Sequence, residues 1–310
     1  MAVFCIDEVV IFDDGYVSPA RQPASSYARQ QQEQQAAADR ESGYTAFSDP
    51  GDFLYHILSY LETPPHLRRS LFPYHPNLKT AGALPSLDMP HHLKADEWCQ
   101  YREGVTVHDT SASTRNEDRD TLAVDAGLPV LVRLPEPIPL HTRVTLKFGP
   151  NQGIHNRTLN AEAVAPETPR EEAGYYWGFS TRTAPSLAAV FTESPYADGY
   201  DYSIGMSERG VPLDLLVTAK SGGTRRVEAS VVEVPHWRRL LIAFGGVAGL
   251  EQALANDQEL QTRGVRDASE LFDAWVNLFE GQGSRTIRTE EAVWLGLMGL
   301  RRIIVENLEM

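Results

Sequence analysis

Three apolar segments in the last third of the chain each run into a polar or glycine-bearing loop, and no other feature limits the fold as tightly. Tyr200 to Ile204 leads into Gly205-Met206-Ser207-Glu208-Arg209-Gly210. Leu240 to Phe244 leads into Gly245-Gly246-Val247-Ala248-Gly249. Leu271 to Phe279 leads into Gly281-Gln282-Gly283-Ser284-Arg285-Thr286-Ile287-Arg288-Thr289-Glu290-Glu291. Strands followed by such loops predict an α/β pattern. Open α/β sheets bind ligands outside the carboxyl ends of such strands, and glycine there lets the main chain come close to a ligand. Any one of these loops alone reads as a tight turn. The three together read as a ligand site.

The rest of the chain divides by pattern. Val3 to Ile6 and Val9 to Phe12 predict a buried opening strand. Residues 16–50 hold the run Gln30 to Ala38, which has no apolar face and predicts a low-complexity, disordered loop, with a short exposed helix as the alternative. From Asp52, the residues Phe53, Leu54, Ile57, Leu58 and Leu61 share one helical face, stopped by Pro64-Pro65. A second short helix carries Leu67, Leu71 and Phe72. Residues 100–183 predict a separate β unit, with strands at Val105–Val107, Val130–Leu134, Val144–Phe148, Leu159–Val164 and Tyr175–Phe179. Asp109 to Asp120 is a loop within it. Five short strands with turn residues between them predict a small barrel of the OB type. The last helix repeats Val293, Leu297, Leu300 and Ile304, with Thr289 as its expected N-cap.

Composition excludes several classes. Lys plus Arg is 28 against 42 Asp plus Glu, a net charge of −14, so any polyanion must meet a local basic patch. There is no run of membrane-spanning length and no basic leader at the acidic N-terminus. Two cysteines, Cys5 and Cys99, cannot make a disulfide framework and fit a reducing compartment. Cys99 reads as a small buried hydrophobe. No phosphate loop or nucleophile elbow is present. His91-His92 lack a second ligand cluster, so they read as surface or loop histidines and no metal site is expected. The pairs Arg68-Arg69, Arg225-Arg226, Arg238-Arg239 and Arg301-Arg302 read mostly as solvated, with some free to meet phosphate.

At its loops the sequence resembles the SPOUT class of RNA methyltransferases. The resemblance is carried by Phe244-Gly245-Gly246 and by Gly281 through Ala292. The arginine-rich run is similar to a loop of bacterial enzymes that methylate a ribosomal-RNA uridine at N3. A closer resemblance is to the eukaryotic and archaeal subfamily containing a centromere-linked SPOUT-domain methyltransferase and fungal pre-ribosome factors. It rests on Phe72 to Leu78, Gly82-Ala83-Leu84, Pro90-His91-His92, Tyr101 to Gly104, Tyr175 to Gly178, Asp198 to Asp201 and Ser207 to Gly210.

The resemblance implies an α/β fold, a trefoil-knotted domain with a mostly parallel sheet and an inserted OB-like barrel. The knotted domain would comprise residues 1–99 and 184–310, and the insert 100–183. It implies S-adenosyl-L-methionine as cofactor, held by Gly205, Met206 and Ser207, by Phe244, Gly245, Gly246 and Gly249, and by Gly281, Gln282, Gly283, Ser284, Thr286 and Ile287. Arg288 and Glu290 become the candidates for substrate orientation and proton handling, and Arg182 and Arg209 for RNA contacts. It further implies a homodimer or a heterodimer with a SPOUT paralogue, ribosomal RNA as substrate, possible contact with pre-ribosomal proteins, and a nuclear, nucleolar location. The other function it allows is an inactive assembly factor of the early large-subunit pre-ribosome. Two departures stand out: relatives carry Thr at the place of Met206, and they begin with a further strand and helix.

Overall fold

The structure is a computed structural model that describes residues 1–15, 38, 41–109, 120–220, 234–246 and 248–308, with the backbone alone at 217–220. The Gln-rich run apart from Ala38, Arg225-Arg226, Val247 and the interior of the Asp109–Asp120 loop lie outside the described residues. The chain forms two compact units. The first comprises residues 1–9 and the described part of 32–182, and the second comprises the described parts of 10–31 and 183–310.

In the first unit, helix α1 (Pro50–Glu62) begins at Asp49, whose carboxylate accepts from the Asp52 N–H, with proline in the first turn. This is the N-terminal chemistry that leaves the fewest orphan donors. Helix α2 (Pro65–Leu71) follows directly and buries Leu67. Strands β2 (Tyr101–Thr106), β3 (Asp120–Asp125), β4 (Val132–Pro139), β5 (Arg143–Phe148) and β6 (Leu159–Val164) close a barrel in the order β2-β3-β4-β6-β5. Val124, Val132, Leu134, Val144, Leu146, Phe148 and Leu159 fill it.

A small barrel is therefore present where one was expected, but one of its strands was missed and one expected strand is not part of it. β3 begins at the end of what read as loop. Tyr175–Phe179 is not a strand; the extended segment is the following β7 (Ser180–Ala184), which pairs with β1 (Glu8–Phe12) outside the barrel. Tyr176 is tied down instead by its hydroxyl, which donates to the Ile6 carbonyl at 2.7 Å. The opening residues also depart from the strand pattern. Ala2–Phe4 form a 3-10 turn ending at Cys5 with φ of 54°, and Val3 is exposed. An apolar run with no partner strand gains nothing from extension.

A buried polar network stiffens this unit. Arg143 donates to Glu62 Oε2 and to Glu103 Oε2, each at 2.6 Å. Thr145 and the Trp177 indole donate to Glu103 Oε1 at 2.6 and 2.7 Å. His91 Nε2 donates to Glu62 at 2.9 Å and is fully buried. His91 is thus a core hydrogen-bond donor, contrary to the surface reading. His92 is packed beside it, 2.6 Å from the Glu62 carbonyl. Cys99 is only partly covered rather than buried.

In the second unit, three strands run parallel in the order β10-β8-β9: β8 (Tyr202–Pro212), β9 (Leu240–Phe244) and β10 (Ala274–Asn277). Parallel neighbours need crossovers. Helices α6 (Gly249–Asn256) and α7 (Gln258–Thr262) supply the one between β9 and β10. Side chains on β9 alternate between the two faces of the sheet. Leu240, Ile242 and Phe244 face the cluster of Ile204, Met206, Val276, Leu300 and Ile303. Leu241 faces one holding Val190, and Ala243 one holding Leu187, Leu250 and Leu254. The sheet is therefore covered on both faces, by the last helix, α8 (Thr289–Leu308), on one and by α4 (Leu187–Thr192) and α6 on the other. Burial on both faces is why β9, Leu240 to Phe244, is an unbroken apolar run.

A candidate cofactor and substrate site

Because the three strands are parallel, their carboxyl ends share one edge, and the three loops singled out from the sequence lie there. The first expected loop, Gly205 to Gly210, is not a loop but part of the strand. β8 continues through Gly205 to Pro212 and pairs Gly205 with Ala243 and Met206 with Phe244. On its other side the register jumps from Gly205, opposite Trp275, to Val211, opposite Val276. Residues 206–210 therefore have no partner on β10 and bulge, which re-aims side chains. Glu208 and Arg209 are exposed on this bulge.

The missing side chain at Gly205 is filled by a neighbour. A Cβ there would lie 2.4 Å from the Trp275 ring and 2.7 Å from Phe272. Met206 is 6% exposed and packs into the core. Both residues thus support the sheet. Ser207 is different: its hydroxyl donates to Glu251 Oε1, at 2.7 Å, in the first turn of α6. Asn277 Nδ2 donates to the Glu208 carbonyl at 2.9 Å. Those two bonds connect the β8 bulge to the helix after β9 and to the end of β10.

The second loop is tight. Gly245 lies against the main chain of Gly249 and Leu250, 2.6 Å from where its Cβ would be. Gly249 has φ of +80°, so a side chain there would be strained. Phe244 touches the last helix at Gly296, whose Cβ would sit 2.8 Å from its ring.

The third loop opens onto a hollow of about 560 Å³ lined by Phe279, Gln282, Gly283, Ser284, Ile287, Glu290, Glu291, Trp294 and Leu295. Its size is in the range of small-molecule sites. A Cβ on Gly283 would meet nothing within 4 Å, so that position leaves its main chain open to the hollow. The helix start lies one residue earlier than expected. The Ala292 N–H donates to the Arg288 carbonyl at 2.8 Å, and Glu291 Oε2 accepts from the Arg288 N–H at 3.2 Å. Arg288 rather than Thr289 thus holds the cap place, with Glu291 reaching back as in a capping box.

The structure brings Gln282, Gly283, Ser284, Ile287 and Glu290 together on this hollow. Gly281 and Thr286 are on the same exposed loop. Arg288 and Glu290 stand 3.9 Å apart, both well exposed. Arg209 is exposed and 3.9 Å from Glu251. Arg182 belongs to the other unit, where its Nε donates to Glu8 at 2.7 Å with the side chain only 19% exposed. That Nε–H is committed to Glu8. Sequence reading missed Trp294, Leu295, Phe279 and Glu251. For Trp294 a signal existed: it lies off the stripe of Leu297, Leu300 and Ile304, where an apolar helix face has no core to meet.

Among the described residues, no three His, Cys, Asp or Glu side chains gather as a metal site, and no helix is long and apolar enough to cross a membrane.

Comparison with known proteins places the chain in a family. The human 28S rRNA (uridine-N(3))-methyltransferase is 35% identical over 313 residues, covering 98% of this chain and 71% of the human protein. The protein of the same description from Drosophila melanogaster is 38% identical over 304 residues, covering 96% of this chain. The mouse protein is 36% identical over 307 residues. The chain spans only 55% of the length of the fly protein. Residues 1–300 match the profile of the family described as "Putative RNA methyltransferase", and the chain belongs to that family.

Proposed function

We propose that the chain transfers a methyl group from S-adenosylmethionine to ribosomal RNA, with N3 of a uridine as the acceptor. One observation carries this: five residues expected at the cofactor or reacting position line one hollow at the carboxyl edge of a parallel sheet. The names and coverage of the relatives support the RNA substrate. The residues present fit the cofactor. Phe279, Ile287 and Trp294 offer apolar surface to a flat base, Gly283 leaves main chain accessible, and two carboxylates give a negative field for a cationic ligand. When bound, S-adenosylmethionine supplies a methyl group on a sulfonium.

The chain's own part is orientation and proton removal. Arg288 is the candidate to hold RNA in line. Glu290 is the candidate to take the N3 proton as the new N–C bond forms. Arg209 on the β8 bulge is the candidate for a nearby phosphate. The trefoil knot, the dimer with a second SPOUT chain, the OB character of the barrel and a nucleolar location belong to the same reading. The assembly-factor alternative loses ground, because six residues of the Gly281-to-Glu291 run line the hollow and the relatives named above are methyltransferases.

The test is transfer of labelled methyl from S-adenosylmethionine to large-subunit ribosomal RNA, with digestion to locate the methyl. Incorporation at uridine N3 is expected. No incorporation into any RNA, by protein that binds the donor, would contradict the proposal.

A further inference from the structure

We infer that a second surface, on the helical part of the first unit, grips a single-stranded segment of RNA. It rests on the RNA reading above and gives that substrate a contact on the unit that does not carry the reacting loops. The surface is a groove of about 620 Å³ whose lining includes Tyr60, Arg68, Arg69, Phe72, Tyr74 and Lys79, and no carboxylate. The 25 residues from Thr63 to Leu87 contain two arginines, one lysine and two histidines but no Asp or Glu, in a chain with 42 acids. In so acidic a protein, a groove of this kind is where a polyanion can approach.

The cations divide by task. Arg68 is occupied: it donates to the carbonyls of Thr63 and Leu61 at 2.9 and 3.1 Å and lies 4.7 Å over the Tyr60 ring. It neutralises the carboxyl end of α1. Arg69 and Lys79 are exposed and, among the described residues, have no ion-pair partner. The Tyr74 ring is 90% exposed. It stands between Pro73 and His75, where proline limits the freedom of the main chain. An exposed aromatic plane flanked by uncommitted cations is the arrangement that holds single strands, by stacking a base and contacting phosphates. A duplex keeps its bases stacked on each other and cannot use the ring.

The experiment is fluorescence anisotropy of a labelled mixed-sequence single-stranded RNA oligonucleotide with the full chain, beside calorimetric titration of S-adenosylmethionine. Tyr74→Ala should weaken RNA at least about fivefold and Tyr74→Phe should restore it, since the ring and not the hydroxyl is used. Arg69→Gln with Lys79→Gln should reduce the slope of log affinity against log salt by about 1.4, as for two phosphates on a single strand. Cofactor affinity should not move. Wild-type affinity for RNA in both variants would overturn the inference, as would duplex RNA or polyglutamate competing as well as unlabelled single strand. A wild-type chain that binds no RNA would instead contradict the RNA reading itself.

Discussion

Ser207 on the bulge of the middle strand donates its hydroxyl to Glu251, on the helix after the neighbouring strand, across 2.7 Å. The bond holds the β8 bulge against the start of α6. Ser207→Ala leaves Glu251 partly exposed, so the loss of stability should be about 1 kcal/mol. The bulge should loosen, so S-adenosylmethionine affinity should fall several-fold. Thermal melting and calorimetry together check this; equal affinity would remove the bond from the site.

Two glycines separate a structural role from a binding role. Gly205→Val places a Cβ 2.4 Å from the Trp275 ring. That overpacks a buried strand and should cost at least about 1–3 kcal/mol. Gly283→Val meets no protein atom within 4 Å, and Gly283 is absent from the left-handed positions. It should melt like the wild type while blocking the hollow. Denaturant titration of both variants is the check.

Arg288 and Glu290 are exposed and 3.9 Å apart, so their pairing adds little stability. Arg288→Ala should keep both the melting point and the cofactor affinity. Methyl transfer should fall at least about tenfold, a barrier change of about 1.4 kcal/mol. Unchanged transfer would leave Arg288 with its capping role alone.

Acid should act on the barrel unit through Glu62. Burial alone would raise its carboxyl, but hydrogen bonds from His91 and Arg143 outweigh that and hold it at about 2, against an ordinary 4.5. A depressed carboxylate stabilises the fold above its unfolded pKa. That contribution is complete above about pH 4.5 and is lost as pH falls through about 2. Its size is on the order of 3 kcal/mol. The melting point should drop between pH 5 and 2 in the wild type. Glu62→Gln should be less stable at neutral pH, with a flatter profile.

Legibility followed burial. β9, covered by apolar clusters on both faces, was readable to the residue from Leu240 to Phe244, and β6 from Leu159 to Val164. Val3 to Ile6 misled because apolar character does not reveal whether a partner strand exists. β3 was hidden because Asp120 and Asp125, at its ends, look like turn residues. Gly205-Met206 read as loop because glycine usually marks turns. Here it makes room for Trp275, a long-range contact no local pattern contains. Glu62, Glu103, His91 and Arg143 come together from four separate segments, so nothing in their spacing forecast the network. The third loop was legible because its polar residues face open space and its pattern is local.

The most direct test of the account is calorimetric titration of S-adenosylmethionine into the wild type and Gly283→Val, with melting curves for both. The account predicts binding to the wild type, none to Gly283→Val, and matching melting points. A wild type that takes up no cofactor at millimolar concentration, or a Gly283→Val chain that binds it normally, would contradict the placement of the site.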